Sequence, residues 1–182
     1  MKRFRVILVS LVAVAGVMGL AYGGNTDSLN IKVTLATNVE VNIVETEYNF
    51  QTLAGGETSV SGPSGVTVQN ASTSNREDWE LKLADSADWT AITQGTPGED
   101  QFLLMAQFGA SAGAWTSANH ALSTTSTDCS VSKFGNNTYG ECGLDVSKSG
   151  SRSLWFRITM PSYSGKTPAE QTIPVTVTAK IG

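Results

Sequence analysis

The chain is poor in the residues that most often carry chemistry. It has one histidine, His120, and two cysteines, Cys129 and Cys142. With one imidazole and no third thiol, no metal centre of His and Cys ligands is expected, and no redox metal pair. Basic residues are scarce as well: 12 Lys and Arg stand against 16 Asp and Glu, and beyond the first five residues they never cluster. That excludes the basic stripe by which a protein holds nucleic acid or an anionic membrane surface. No long stretch repeats with a helical period, and no internal repeat or linker divides the chain. Its length suits one ordinary domain with one core.

What is present begins with the first residues. Lys2, Arg3 and Arg5 precede Val6–Leu20, an apolar run broken only by Ser10, Gly16 and Gly19. The run is shorter than the roughly 20 residues of a spanning helix. Ala21-Tyr22-Gly23 then sets small residues at the positions that a signal peptidase reads before a cut at Gly24; a cut after Ala21 is the alternative. No cysteine follows the run, so a lipoprotein signal is not expected. Residues 1–23 are therefore expected to be a signal peptide, and residues 24–182 a single domain, secreted or at the cell surface. Without Lys2, Arg3 and Arg5, nine basic residues face 16 acidic ones, a formal charge of −7. After cleavage, neither nucleic acid nor membrane is an expected partner.

The rest reads as strands. Ser153–Met160 alternates cleanly, with Leu154, Phe156, Ile158 and Met160 on one face and Trp155, Arg157 and Thr159 on the other. A period of two over that length marks a strand with one buried face. It lacks internal Gly or Pro, and Pro161 stops it, so a central position is expected. Leu29, Ile31, Val33 and Leu35 form another stripe within residues 29–37. Asn38 marks a bend, bulge or hinge before Val39, Val41 and Ile43. Thr58–Ser61, Val66–Asn70, Trp79–Leu83, Trp89–Ile92 and Glu170–Ile181 follow, with Pro174 demoting the last to an edge. Gln101–Phe108 is apolar without a clean period, which fits a strand buried on both faces. One helical turn is expected near Thr116–Ala121. The sum is an all-β fold: an antiparallel immunoglobulin-like or jelly-roll β-sandwich of about nine to eleven short strands.

Cys129 and Cys142 flank a Gly-Asn-Asn turn, so a hairpin closed by a Cys129–Cys142 disulfide is expected in an exported chain. In the chain-entropy account such a loop contributes roughly 3 kcal/mol.

Several of these stretches together resemble a known pattern. Tyr48-Asn49-Phe50 leads to the Gly55-Gly56 turn, a strand ending at Asn70, and Trp79–Leu83. Later, Val146–Gly150 leads into Ser153–Met160 and Pro161, and the chain closes on Ile173-Pro174-Val175-Thr176-Val177-Thr178-Ala179. Over residues 29–180 this resembles the immunoglobulin-like β-sandwiches of secreted and surface bacterial proteins of uncharacterised function. In plan alone it is similar to the camelysin-type biofilm fibre subunits, with a signal peptide, one sandwich and a free N-terminal strand. The resemblance rests on patterning and implies no activity.

No catalytic residue is expected, and the chain is not read as an enzyme. His120 sits in a small-residue loop and is expected at the surface. Glu77-Asp78, Asp85 with Asp88, and Glu99-Asp100 are the loops that calcium would favour, but none has the Asp-x-Asp-x-Asp-Gly spacing, so no cofactor or metal is expected. Trp79 is in phase with core residues. Trp115 lies in the long loop and is the aromatic expected at a contact surface. Two functions follow from different classes. One is an exported structural subunit of a filament or surface layer, self-associating into a polymer by donating strand 29–37 to a neighbour. The other is a secreted module that binds carbohydrate or protein through Trp115.

Overall fold

The structure, a computed structural model, describes residues 32–33, 38–167 and 169–182. The expected signal peptide, residues 1–23, lies outside the described residues, as do Leu29, Ile31 and Leu35. Residues 38–182 belong to one compact unit, Leu35–Gly182.

The described residues form nine strands and a single helical turn. The larger sheet runs in the order β1 (Val41–Ile43), β3 (Val66–Asn70), β8 (Ser151–Thr159), β6 (Gln101–Phe108) and β5 (Thr90–Ala91); β2 (Thr58–Val60) also pairs with β8. The smaller sheet is β7 (Thr127–Asp128), β4 (Glu77–Leu83) and β9 (Val175–Ile181). The helical turn, α1, is Ser117–His120. The protein is thus nearly all β. One pairing departs from the antiparallel expectation: β5 and β6 run parallel, Thr90 opposite Gln101 and Ala91 opposite Phe102. The chain turns through Gly95, at a φ of 81°, and Pro97-Gly98 to bring these short pieces alongside in the same direction.

β8 is central, as its composition implies. β6 lies on one edge, and β2 and β3 share the other. Leu154, Phe156 and Ile158 enter the core, where they meet Trp79, Leu81, Leu83 and Val177 from the smaller sheet. Trp155 points to the opposite face and is still buried, its Nε1–H donating to the Gly109 carbonyl at 3.0 Å. The register slips between β2 and β3, from Val60 opposite Arg157 to Val66 opposite Leu154. Ser61 fills the gap: its N–H donates to the Phe156 carbonyl at 2.8 Å, and its Oγ accepts the Phe156 N–H at 2.8 Å. Without it a buried backbone donor would go unpaired.

β6 lacks a period because both its faces are covered. Phe102, Leu104, Ala106 and Phe108 join the main core, while Leu103 and Met105 pack with Ala121, Trp115 and Ile92 on the other side. β9 begins directly after Pro174 and among the described residues pairs only with β4, which makes it an edge strand of the described sheet.

The cysteine segment departs from expectation. Residues 130–142 form turns and bends with no paired strands, so they are not a hairpin. Cys129 and Cys142 are both buried and both free thiols here, so the expected bridge is not formed in this structure. The backbone shows what the segment is. Cys129 N–H donates to the Trp79 carbonyl at 2.8 Å, and Trp79 N–H donates to the Gly143 carbonyl at 2.8 Å. The chain leaves the edge of β4 at Cys129 and returns to the same edge at Gly143. Residues 130–142 are a loop with adjacent feet, packed by Phe134, which is buried in the core.

Candidate functional site

The core is not covered evenly. Along one side, where β9 faces residues 43–53, the two sheets part and leave a cleft of about 1260 Å³. Its floor is core: Val66, Leu104, Leu154, Phe156, Ile158 and Val177. Three of these follow the two-residue period of β8, so their side chains stand in a row.

Each lip of the cleft is held to its own base. On the first lip, Val44 N–H continues the β1–β3 pairing by donating to the Thr67 carbonyl at 3.0 Å. Glu45 then caps β3: its Oε2 accepts the Thr67 N–H at 2.6 Å, and its Oε1 accepts the Thr67 hydroxyl at 3.2 Å. The Thr67 amide holds the Glu45 carboxyl below the ordinary carboxylate range. Farther along, Tyr48 OH accepts the Gly62 N–H at 2.9 Å, and Tyr48 stacks edge-on with Phe50 at 4.8 Å. The lip ends where Gly56 N–H donates to the Pro161 carbonyl at 2.7 Å. Gly55 is required there, since a Cβ would lie 2.7 Å from the Ser162 carbonyl oxygen. On the second lip, Ser164 and Gly165 donate to Asp100 Oδ1 at 2.5 and 3.1 Å. Gln171 bonds twice with Asp88, through the Asp88 N–H at 3.2 Å and Oδ2 at 2.8 Å. Among the described residues no hydrogen bond joins residues 43–53 to residues 164–175.

The cleft also bares a strand edge. Ala84 N–H donates to the Pro174 carbonyl, and Gly182 N–H to the Arg76 carbonyl. Antiparallel pairs alternate between bonded and non-bonded residues. The even residues Thr176, Thr178 and Lys180 therefore exchange bonds with β4. Val175, Val177 and Ala179 turn their N–H and C=O groups outward, to an edge that carries no strand among the described residues.

The opposite end is sealed by polar side chains. Asn38 Oδ1 accepts from the Thr73 N–H at 3.0 Å and the Thr73 hydroxyl at 2.9 Å, and its carbonyl accepts from Asn75 Nδ2 at 2.8 Å. Asn38 is clamped to the Ser72–Asn75 loop. Glu77 is fully buried, its Oε1 accepting the Glu40 N–H at 2.7 Å and its Oε2 accepting Trp79 Nε1–H at 3.0 Å. Asn70, also fully buried, donates from Nδ2 to the Val146 and Asn75 carbonyls and accepts the Ser72 N–H. An acid and an amide among the apolar positions of two strands were the signal for this end.

The residues singled out from the sequence are scattered. Of the stripe Leu29, Ile31, Val33 and Leu35, only Val33 is described, and it is 86% exposed. Trp115 is half-buried, edge-on to His120 at 5.8 Å and packed on Leu103, Met105 and Ala121, so its ring is already engaged. His120 is buried, which corrects the surface expectation. Its Nδ1 accepts the Thr116 N–H at 3.0 Å, leaving Nε2 to donate to the Gly135 carbonyl at 3.1 Å. The acidic loops bind backbone instead of one another: Asp78 takes the Asp145 N–H, Asp85 the Ala91 N–H and Asp100 the Gly165 N–H. Among the described residues no three His, Cys, Asp or Glu are grouped to hold a metal ion. Burial, with Cys142 close by, pushes the Cys129 thiol well above its ordinary range.

One stretch, Gly109-Ala110-Ser111-Ala112-Gly113, matches the G-x-S-x-G pattern of hydrolase nucleophile elbows. It follows β6, but no helix begins there and Ser111 is not at positive φ. The elbow needs that strained strand-to-helix turn, and a base with a free ring nitrogen. Both nitrogens of His120 are taken by backbone groups.

Among the described residues no helix is long and apolar enough to cross a membrane. Compared with the models of known protein families and with curated proteins, the chain matches none.

Proposed function

We propose that this chain is an exported structural protein, the subunit of an extracellular filament or surface layer, self-associating through residues 29–37. In this reading residues 1–23 are removed as a signal peptide, and the two sheets are an immunoglobulin-like sandwich. The observation that carries it is the contrast at the N-terminal side. Val33, part of an apolar stripe, is 86% exposed, while Asn38, just behind it, is clamped to the Ser72–Asn75 loop. A segment with an apolar stripe, followed by a fixed root, suits handing over to a neighbour, where main-chain pairing gives affinity and alternate side chains give specificity.

The test is sedimentation and electron microscopy of residues 24–182. Polymers that disappear on deletion of residues 24–37 support the reading. A monomer at high concentration overturns it and leaves the secreted binding module. The same reading places the chain in an oxidising compartment, where Cys129 and Cys142, at the feet of one loop, join as a disulfide. The native mass should then rise by two hydrogen atoms on reduction; free thiols in freshly secreted protein overturn that part.

A further inference from the structure

We propose that the cleft between residues 43–53 and 164–175 accepts residues 29–35 of a second copy of this chain, laid as an added strand along the free edge of β9. This rests on the reading of residues 29–37 as an assembly strand.

Shape comes first. At about 1260 Å³ the cleft is larger than the ~300–1,000 Å³ typical of small-molecule sites. Its lining takes in Ile43 and Glu45–Leu53 on one lip and Ser164, Lys166, Thr167 and residues 169–175 on the other. The chemistry narrows the choice further. The floor is apolar, and Leu154, Phe156 and Ile158 recur every second residue, about 6–7 Å apart along the strand. Leu29, Ile31, Val33 and Leu35 carry the same period. The wall offers the outward N–H and C=O groups of Val175 and Val177. A sugar would find polar partners only on the lips, such as Asn49 and Gln171, and none on the floor. An alkyl chain would fill the floor and leave the strand edge unpaired. A strand with one apolar face satisfies both, and open edges of this kind are the surfaces on which strands add. Its polar face, Asn30, Lys32 and Thr34, would then point to solvent beside the exposed acids Glu47 and Glu170 of the two rims.

Connectivity points to a second copy. Asn38 is bound to the loop that follows β3, beside Asn70. The cleft opens beyond Ile43, toward the start of β3 at Val66. Root and acceptor thus lie at opposite ends of the β1–β3 pair. A donor rooted at one end and an acceptor at the other give a head-to-tail contact that propagates.

The experiment uses residues 24–182 with a small diazirine amino acid at position 33, and a second protein with the probe at position 32. Isotope-labelled and unlabelled chains are mixed, polymerised, irradiated and analysed by mass spectrometry. Cross-links from position 33 should join labelled to unlabelled chains and fall within residues 43–53, 154–158 or 169–177. The probe at position 32, on the polar face, should lose most of these. Inter-chain cross-links elsewhere, in a chain that still polymerises, overturn the cleft and leave arm-driven assembly standing. Cross-links to the cleft within one chain overturn the second copy as occupant. A chain that stays monomeric and gives no cleft cross-link sinks both readings. Val175→Pro provides an independent check, because it removes an outward N–H that β4 does not use. Polymer should be lost while the thermal transition persists; full polymer with a folded Val175→Pro protein overturns pairing along β9.

Discussion

The two ends of this protein are built differently from similar strands. At the end around Asn38, Asn70 and Glu77, buried polar groups meet backbone donors and acceptors, and Trp79 packs against Phe108 at 5.4 Å. At the other end the side chains of β8 line a cleft, and the edge of β9 that faces it carries no strand among the described residues. The lips there are well held, each by its own hydrogen bonds, so the opening does not come from loose loops. The same core row, Leu154 to Ile158, is buried along its length and borders the cleft at one end.

The largest expected effect probes the sealed end. Trp79→Ala removes a buried ring and leaves Glu77 Oε2 without its indole donor. Thermal or urea unfolding should show a loss of about 3–5 kcal/mol, with the buried Glu77 Oε2 left without a donor pushing toward the upper figure. Phe156→Ala is the matched change in the cleft. Much of the cost of such a truncation is the cavity left behind, and Phe156 already borders open space. The loss should be nearer 3 kcal/mol, at the low end of the range for Phe. Equal losses at both positions would mean that the cleft is closed in solution, and the contrast would fall.

Asn38→Ala is smaller. The side chain accepts from the exposed Thr73 N–H and hydroxyl, which water can serve in its place, and from the buried Ser72 hydroxyl, which keeps the Asn38 backbone carbonyl as acceptor. A loss of roughly 1–2 kcal/mol is expected. A structural root and a hinge differ in a second readout. If Asn38 fixes the departure of residues 29–37, the variant should assemble more slowly at unchanged subunit concentration. Faster assembly would mark a hinge instead.

How much of this was legible in the sequence follows from which interactions are local. β3, β6 and β8 declared themselves through period and composition, because each buries at least one whole face. The edge position of β9 was legible in Pro174, which cannot donate to a ladder. The loop of residues 130–142 was not, because its feet meet on β4, some fifty residues earlier in the chain; two cysteines around a turn look the same in a hairpin and in such a loop. His120 was misplaced for a similar reason: what buries it is Gln107 and Gly135, from β6 and that loop. The cleft could not be read at all. Its floor residues are ordinary buried core residues by pattern, and what borders them as a cleft are lips that lie far apart in the chain.

The smallest expected effect tests the first lip. Glu45 is exposed, and its carboxylate accepts both the N–H and the hydroxyl of Thr67. Because those donors favour the charged form, its folded pKa lies below the ordinary value of 4.5. A group lowered in the folded state contributes fully above its unfolded pKa and loses that contribution as pH falls through the folded one. The lip should therefore be intact at neutral pH and loosen in acid, below the ordinary carboxylate range. At the sealed end, Asp145 is lowered in the same direction by Tyr139 and Arg76, so global stability alone cannot tell the two ends apart. The amide of Thr67 can. In NMR spectra its shift should titrate with a midpoint under 4.5 in the native sequence and stay flat in Glu45→Gln. At the pH of that midpoint, access to the cleft should rise in the native chain, read as faster labelling of a cysteine introduced at Leu53. A Thr67 amide that ignores pH would mean that residues 44–47 do not sit against β3, and the cleft would have one lip fewer than its floor requires.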